Sequence, residues 1–296
     1  MERQPFSKCS HISELLKTAE ELFRSSSSSP RLDAEVLLAH LLLISRSSLI
    51  AALRDECSTE VVAAFALLAA RRVQGEPVPY ITGEREFYGR AFLVNPAVLV
   101  PRPESELIID QALKICSGKQ SVKFLDLGTG SGCLAITLVA ELLASGLREP
   151  HCVAVDISQE ALNVAARNAE RLGALQYISF VKSNWFSESA AFSAPYDLII
   201  ANPPYIDRYE KTPIELSFEP QGALFSDDLG LKDTKEIISG ALTMLAPNGT
   251  LLCEVGAGKR EHLRTYFKTK HPALEYSFLG DDSEHDRFTV VKVVRK

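Results

Sequence analysis

The chain has 296 residues, 46% of them hydrophobic, and a formal net charge of −6 at pH 7. Its length exceeds one typical domain, so about two domains with a sizeable apolar core are expected. The acidic balance argues against a broad electrostatic footprint on nucleic acid, which needs a basic face, but leaves room for a local basic groove.

The opening stretch, Met1 to Glu21, carries charges throughout and lacks the apolar block of a signal peptide. Nowhere does a run reach the ~18 apolar residues of a membrane helix, so a soluble, cytoplasmic protein without a membrane partner is expected. Ile12, Leu15, Leu16, Ala19, Leu22 and Phe23 recur at helical spacing, and this helix ends in the serine run Ser25 to Ser29. Pro30 suits the first turn of a second helix with Ser29 as its cap, running through Ala34, Leu37, Leu38, Leu41 and Leu42. His40 lies within that apolar helix and reads as a core histidine, not a ligand. A shorter segment around Leu49 to Leu53 follows, then a long helix from about Thr59 to Arg72, stopped by Gly75 and Pro77. Residues 1–85 therefore read as a small helical bundle.

Next, Glu86 to Val94 reads as two short strands around Gly89-Arg90, making residues 86–100 a hairpin linker. After Pro101, a helix from Glu106 to Ile115 leads into alternating strands and helices. Strands fall near 123 to 127, 151 to 155, 177 to 182, 196 to 201, 249 to 255, 274 to 279 and 287 to 294. Such alternation predicts an α/β domain over residues 101–296, built on a doubly wound, mainly parallel seven-stranded sheet. Only Gly280 to Asp286 separates the last two strands, which should pair as an antiparallel hairpin. The six cysteines, Cys9, Cys57, Cys116, Cys133, Cys152 and Cys253, are scattered without a C-x-x-C pair and read as reduced thiols of an intracellular protein with no metal site.

Two stretches carry chemistry. In the first, the buried strand Val122 to Leu127 feeds the turn Gly128-Thr129-Gly130-Ser131-Gly132, with an apolar helix from Cys133 to Leu143 behind it. Glycines there let the backbone approach a ligand at a helix N-terminus. The next strand ends in Asp156, placed to accept from both hydroxyls of a ribose. Together these features announce an adenosine cofactor. The turn is G-x-G-x-G, not G-x-G-x-x-G, and Asp126 before it can meet an ammonium group more readily than a pyrophosphate; this favours S-adenosylmethionine over NAD. After the third strand, Asn184 is placed to accept from the adenine amine while Trp185 packs nearby or fills the core.

In the second stretch, Leu198, Ile199 and Ile200 read as a strand buried on both faces that stops at Asn202-Pro203-Pro204-Tyr205, because proline has no N–H for the ladder. A residue before proline is held extended, so Asn202 projects from the carboxyl edge of the sheet, where open α/β sheets bind ligands. Its side-chain oxygen and the Pro203 carbonyl make a pair of acceptors suited to both N–H bonds of a planar –NH₂ group, and Tyr205 adds an aromatic wall. Taken alone, the tetrapeptide also fits a rigid turn at a strand end.

With the glycine turn, Asn202-Pro203-Pro204-Tyr205 resembles the class I amino-methyltransferases, whose sheets carry the antiparallel C-terminal hairpin. Other segments narrow the resemblance to the peptide chain release factor glutamine methyltransferases, the HemK/PrmC family. They are Arg31-Leu32-Asp33-Ala34-Glu35, Gly75-Glu76-Pro77-Val78-Pro79-Tyr80 with Thr82-Gly83, Pro101-Arg102-Pro103-Glu104-Ser105-Glu106, and Phe218-Glu219-Pro220-Gln221-Gly222-Ala223-Leu224. The chain departs from the family pattern at Asn184, where Asp is usual, at Ser105, where Thr is usual, and at Leu216-Ser217. The resemblance implies transfer of a methyl group from S-adenosylmethionine to the side-chain amide nitrogen (N5) of the glutamine in the Gly-Gly-Gln loop of class I peptide chain release factors, leaving S-adenosylhomocysteine. It implies catalytic and substrate-binding roles for Asn202, Pro203, Pro204 and Tyr205. Cofactor binding would fall to Asp126, Gly128, Thr129, Gly130, Ser131, Gly132, Asp156, Asn184, Trp185 and Asn202. A monomer that docks the release factor on its helical domain, without direct nucleic-acid contact, is expected. Two rivals stand beside it: an adenine-N6 methyltransferase of DNA or RNA, which can grip a flipped base with the same tetrapeptide, and a non-catalytic, cofactor-binding adaptor, against which the intact tetrapeptide argues.

Overall fold

The computed structural model describes residues 5–7, 9–188, 192, 194–280 and 288–295. The chain divides into two compact units, Met1–Glu84 with Thr212–Phe218, and Arg85–Lys211 with Glu219–Lys296.

The first unit contains α1 (Ile12–Phe23), α2 (Pro30–Leu42), α3 (Arg46–Ala51), α4 (Thr59–Val73) and α5 (Val78–Thr82). On α1 the residues at helical spacing, Ile12, Leu15, Leu16, Ala19 and Phe23, are buried as their period requires. They meet Leu37, Leu38 and Phe65, and Phe6 packs edge-on against Phe65 with ring centroids 5.5 Å apart. Ser45 and Ser58 cap α3 and α4, accepting from the backbone N–H groups of Ser48 and Val61. Ser29 stands at the start of α2, but its side chain makes no capping bond. His40 is a correction to the sequence reading: it is exposed in the last turn of α2, because two residues beyond the buried Leu38 the helical period points it away from the core. A short helix, α5, follows between Pro77 and Gly83, which closes it with φ of 80°. Arg72, 2% exposed, bridges Asp33 (2.7 Å) and Glu215 (2.5 Å), so the segment Thr212–Phe218, far along the chain, is held in the helical unit by a half-exposed carboxylate on a buried guanidinium.

The rest follows as β1 (Glu84–Phe87), β2 (Arg90–Leu93), α6 (Glu106–Cys116), β3 (Ser121–Leu127), α7 (Cys133–Ala144), β4 (Glu149–Asp156), α8 (Gln159–Arg171), β5 (Ile178–Lys182), β6 (Tyr196–Ala201), β7 (Ile206–Asp207), β8 (Phe225–Ser226), α9 (Asp227–Gly230), α10 (Lys232–Met244), β9 (Leu245–Gly256), α11 (Arg260–Lys270), β10 (Glu275–Leu279) and β11 (Phe288–Val294). Seven strands form one sheet in the order β10-β11-β9-β6-β3-β4-β5. From β9 to β5 all neighbours are parallel, whereas β11 runs antiparallel to both β9 and β10. This is the expected doubly wound sheet with its antiparallel hairpin; residues 281–287, where the connecting turn was read, lie outside the described residues.

Alternation along β6 explains its continuous apolar run. Leu198 and Ile200 enter the core shared with α6 and α7, while Ile199 and Ala201 enter the opposite core shared with α10 and α11. Among the described residues no helix is long and apolar enough to cross a membrane, and all six cysteines are free thiols.

Candidate active site

Strand register puts the two chemical stretches side by side. Leu127 pairs with Val155 and with Ala201, and Ala201 pairs with Cys253. The residues that come next, Gly128, Asp156, Asn202 and Glu254, therefore leave one carboxyl edge together.

At the glycine turn the backbone N–H groups of Gly128 and Thr129 both donate to the Val155 carbonyl, at 2.8 Å each. Gly132 then opens α7 with φ of 81°, and a Cβ there would stand 2.8 Å from Ile136 Cδ1 and 3.2 Å from Ala165 Cβ, so only glycine joins the turn to the helix without strain. Asp126 is fully buried behind the turn. Its Oδ2 accepts from the Thr129 hydroxyl (2.7 Å), and its Oδ1 has no partner. Burial, with a smaller repulsion from Asp156, pushes its carboxyl up to about 7 against the bond from Thr129 and the pull of the nearby Ala135 backbone N–H, which lies outside hydrogen-bond geometry to Oδ1. The Ser131 hydroxyl is likewise buried and unpaired. Asp156 accepts from the backbone N–H groups of Gly130 and Ser158, both at 2.9 Å. Burial raises its carboxyl, and those two N–H groups oppose the rise.

Trp185 lies against the turn: a Cβ on Gly128 would be 3.3 Å from its Cζ3. Its indole N–H donates to Asp233 Oδ1 (3.0 Å), whose other oxygen accepts from Ser226. Asn184 has an exposed side chain, and its backbone N–H donates to Ser187 Oγ. Unread in the sequence was Asn168 on α8, fully buried, whose Nδ2 donates to the carbonyls of Ser131 (2.9 Å) and Leu93 (3.0 Å) while Oδ1 accepts from Leu93 N–H (2.8 Å). It ties the glycine turn to β2. A lone Asn on the apolar face of a helix otherwise rich in alanine was the available signal.

The second half of the site starts at Asn202. Its Nδ2 donates to Ser105 Oγ (2.8 Å), and Ser105 donates in turn to Glu254 Oε2 (2.5 Å). Asn202 Oδ1 is buried with no partner. Pro203 and Pro204 are buried, and Tyr205 packs on the end of β9, where a Cβ on Gly256 would be 2.8 Å from its ring. Glu254 is fully buried; desolvation pushes its carboxyl up to about 7 despite the bond from Ser105. Burial and then the Glu254 charge drive the Tyr205 phenol upward. Tyr205 lies close enough to perturb Glu254, yet Glu254 Oε1 is left without a hydrogen bond. Ser105 and Glu254 had no assigned role in the sequence; a carboxylate inside the apolar run Leu251 to Val255 was the visible signal for the latter.

Around this edge, Glu219 accepts from Val100 N–H (2.9 Å) and from Arg102 (2.6 Å), joining the loop before α6 to the loop after β7. Gly230, φ 79°, sits so close to Tyr205 that a Cβ would be 2.1 Å from its carbonyl oxygen. Tyr209 is 96% exposed on the same loop.

Residues 14–83 match the family described as the PrmC N-terminal domain, and residues 119–274 match a methyltransferase domain. Over 243 residues the chain is 41% identical to a release factor glutamine methyltransferase of Nitratidesulfovibrio vulgaris, covering 80% of this chain and 79% of that one. The chain belongs to the release factor glutamine methyltransferase family. Members from Bordetella pertussis and Salmonella typhimurium are each 39% identical, over 81% and 82% of this chain and 86% and 85% of theirs. In fold the chain is similar to the hMettl16 catalytic domain solved with a MAT2A 3'UTR hairpin, with a TM-score of 0.54, 16% identity, and 77% and 79% of the two chains covered. A family methyltransferase with the class I sheet is what the motifs resembled, and the span matched by the methyltransferase domain contains Asp126, the glycine turn, Asp156 and Asn202 to Tyr205.

Proposed function

We propose that this family member uses S-adenosylmethionine to methylate the side-chain amide nitrogen (N5) of the glutamine in the Gly-Gly-Gln loop of class I peptide chain release factors. The observation that carries this reading is Asn202: one end of its amide is tied to Ser105, and the other presents a buried, unpaired oxygen at the sheet edge. An unpaired buried acceptor costs free energy unless a ligand donor meets it. The relatives from Nitratidesulfovibrio vulgaris, Bordetella pertussis and Salmonella typhimurium, each a release factor glutamine methyltransferase, support the substrate class.

The residues present fit the cofactor. Asp126 Oδ1, also unpaired, would accept from its ammonium; the turn Gly128 to Gly132 would lie along its amino-acid portion; Asp156 would accept from the ribose hydroxyls with the lone pairs its backbone donors leave free; Asn184 and Trp185 would border the adenine. When bound, S-adenosylmethionine supplies an electrophilic methyl group. Asn202 Oδ1 and the Pro203 carbonyl accept the two N–H bonds of the glutamine amide and aim its nitrogen, a poor nucleophile because its lone pair is delocalised into the carbonyl. Holding the amide in line is worth up to ~7–11 kcal/mol in ideal cases. Tyr205 walls the amide from one side, and Pro203 and Pro204 keep Asn202 extended. The nitrogen loses one proton as it gains the methyl group, and no side chain is assigned as its base.

Mass spectrometry of a release factor incubated with labelled cofactor tests the reading. Label is expected on the Gly-Gly-Gln glutamine, absent when that glutamine is alanine, and absent from adenine-containing DNA. Labelled DNA beside an unmodified release factor would instead establish the adenine methyltransferase, whose acceptor –NH₂ suits the same pair of oxygens.

A further inference from the structure

Three polar groups, Glu254 and Ser105 buried and Asn202 half-buried, run in a chain from β9 to the end of β6. Glu254, which no surface reaches, accepts from Ser105, and Ser105, 2% exposed, accepts from Asn202 Nδ2. A serine hydroxyl has a single proton. Once that proton is committed to Glu254, Ser105 offers Asn202 only lone pairs, so the amide must turn its nitrogen toward Ser105 and its oxygen away.

The two ends of an asparagine amide are nearly identical in shape, and only the hydrogen-bond network decides which faces where. A flipped Asn202 would present N–H bonds to the N–H bonds of an incoming –NH₂ group, and the grip would fail. We propose that Glu254, acting through Ser105, is the positioning residue that sets the amide orientation of Asn202, so that an acceptor and not a donor faces the substrate nitrogen. The geometry favours this over mere burial of a stray charge. Register places Glu254 directly after the residue paired with Ala201, as Asn202 is directly after Ala201, so the carboxyl and the amide project from neighbouring strand ends with Ser105 between them. The proposal rests on the glutamine reading above for the identity of the acceptor; the orientation of Asn202 belongs to the chain itself.

The test uses the full chain carrying Ser105→Ala, Ser105→Thr or Glu254→Gln. With ¹⁵N-labelled asparagine, the side-chain NH₂ signal of Asn202 is assigned by its loss in Asn202→Asp. In wild type and Ser105→Thr this signal should be protected from exchange with water. In Ser105→Ala and Glu254→Gln it should shift, and exchange about tenfold faster or more, because its acceptor is gone or reversed. In the same two variants kcat on a Gly-Gly-Gln release factor should fall by about tenfold to a hundredfold, the scale of a hydrogen bond to a charged group. The KM for S-adenosylmethionine should stay within about twofold, and Ser105→Thr should restore kcat. Because the chain acts as a unit, the double variant should be no slower than the slower single one. An Asn202 signal unmoved by Ser105→Ala overturns the proposal whatever the acceptor, as does a moved signal with unchanged kcat. If Glu254→Gln does not fold, the Ser105 pair decides the matter. A moved signal in a protein whose wild type labels no release factor sustains the positioning chain and overturns the glutamine reading instead.

Discussion

Asp156 has two kinds of partner in prospect, and its substitution separates them. Its oxygens already hold the N–H groups of Gly130 and Ser158, so Asp156→Ala removes a ligand contact and loosens the glycine turn together. Calorimetry should show S-adenosylmethionine binding weakened by ~1.5–3 kcal/mol, the scale of a hydrogen bond to a charged group, and unchanged affinity would remove Asp156 from the site. Asn202→Ala should behave oppositely, abolishing most single-turnover transfer while cofactor affinity stays within a few-fold, since its unpaired oxygen is the proposed grip on the acceptor. Asp126 adds a pH dependence. Its carboxyl titrates near 7 in the fold against 3.8 ordinarily, so between these values the folded chain keeps a proton that the unfolded chain has released. Its contribution to stability is therefore full below the ordinary value and is lost as pH rises through about 7. A cationic ligand reverses the preference, because it needs the carboxylate. Cofactor affinity should rise as pH increases through about 7, and Asp126→Asn should flatten that profile in titrations on either side of it.

At the scale of elements, the short pieces β7, β8 and α9 hold the backbone that follows Tyr205, on the proposed acceptor side. Ile206 to Asp207 pairs with Phe225 to Ser226, and α9 then brings Gly230 onto the Tyr205 carbonyl. Gly230→Ala would place a methyl group 2.1 Å from that oxygen at a φ that disfavours side chains, so the loop carrying Asn202 to Tyr205 must move. We expect transfer to fall sharply while cofactor affinity is kept, with a stability cost of ~1–3 kcal/mol, typical of overpacking. Parallel assays of turnover and of cofactor binding check this, and equal losses in both would place Gly230 in a general structural role. None of these three elements was read from the sequence, for a physical reason. Two- and four-residue elements have no periodicity of their own, and here they form because the backbone they pair with is already held.

For the molecule as a whole, the helical unit is proposed to dock the release factor. A chain beginning at Arg85 should then retain cofactor binding, since the glycine turn and Asp156 belong to the other unit, but methylate a folded release factor with much lower kcat/KM. Equal kcat/KM for both chains would refute the docking role. Within the helical unit, Arg72→Ala strands Asp33 and Glu215 without their shared cation. Removing one partner of a fully buried pair costs ~3–5 kcal/mol, and because Asp33 and Glu215 keep some contact with water the loss should lie at or below the low end of that range. Thermal unfolding of the variant measures it.

The sequence by itself determined the sheet and the turn that carries the site. Short apolar runs rich in β-branched residues and bounded by turn residues read as strands covered on both faces, helical spacing separates them, and proline ends β6 because it has no N–H to donate, so Asn202 leaves the carboxyl edge. It also marked Asp126 and Asp156, since acids at strand ends beside glycines are readable from order alone. What only the tertiary structure decided is how those groups are held. Ser105 reaches Glu254 across 149 residues of chain, Arg72 reaches Glu215 across 143, and Asn168 reaches Ser131 from another helix. His40 was misjudged because local composition does not say where an apolar stripe ends. Such pairings depend on strand register and layer packing, which bring together positions that no local pattern relates; the same packing buries Asp126 Oδ1 and Asn202 Oδ1 without a partner.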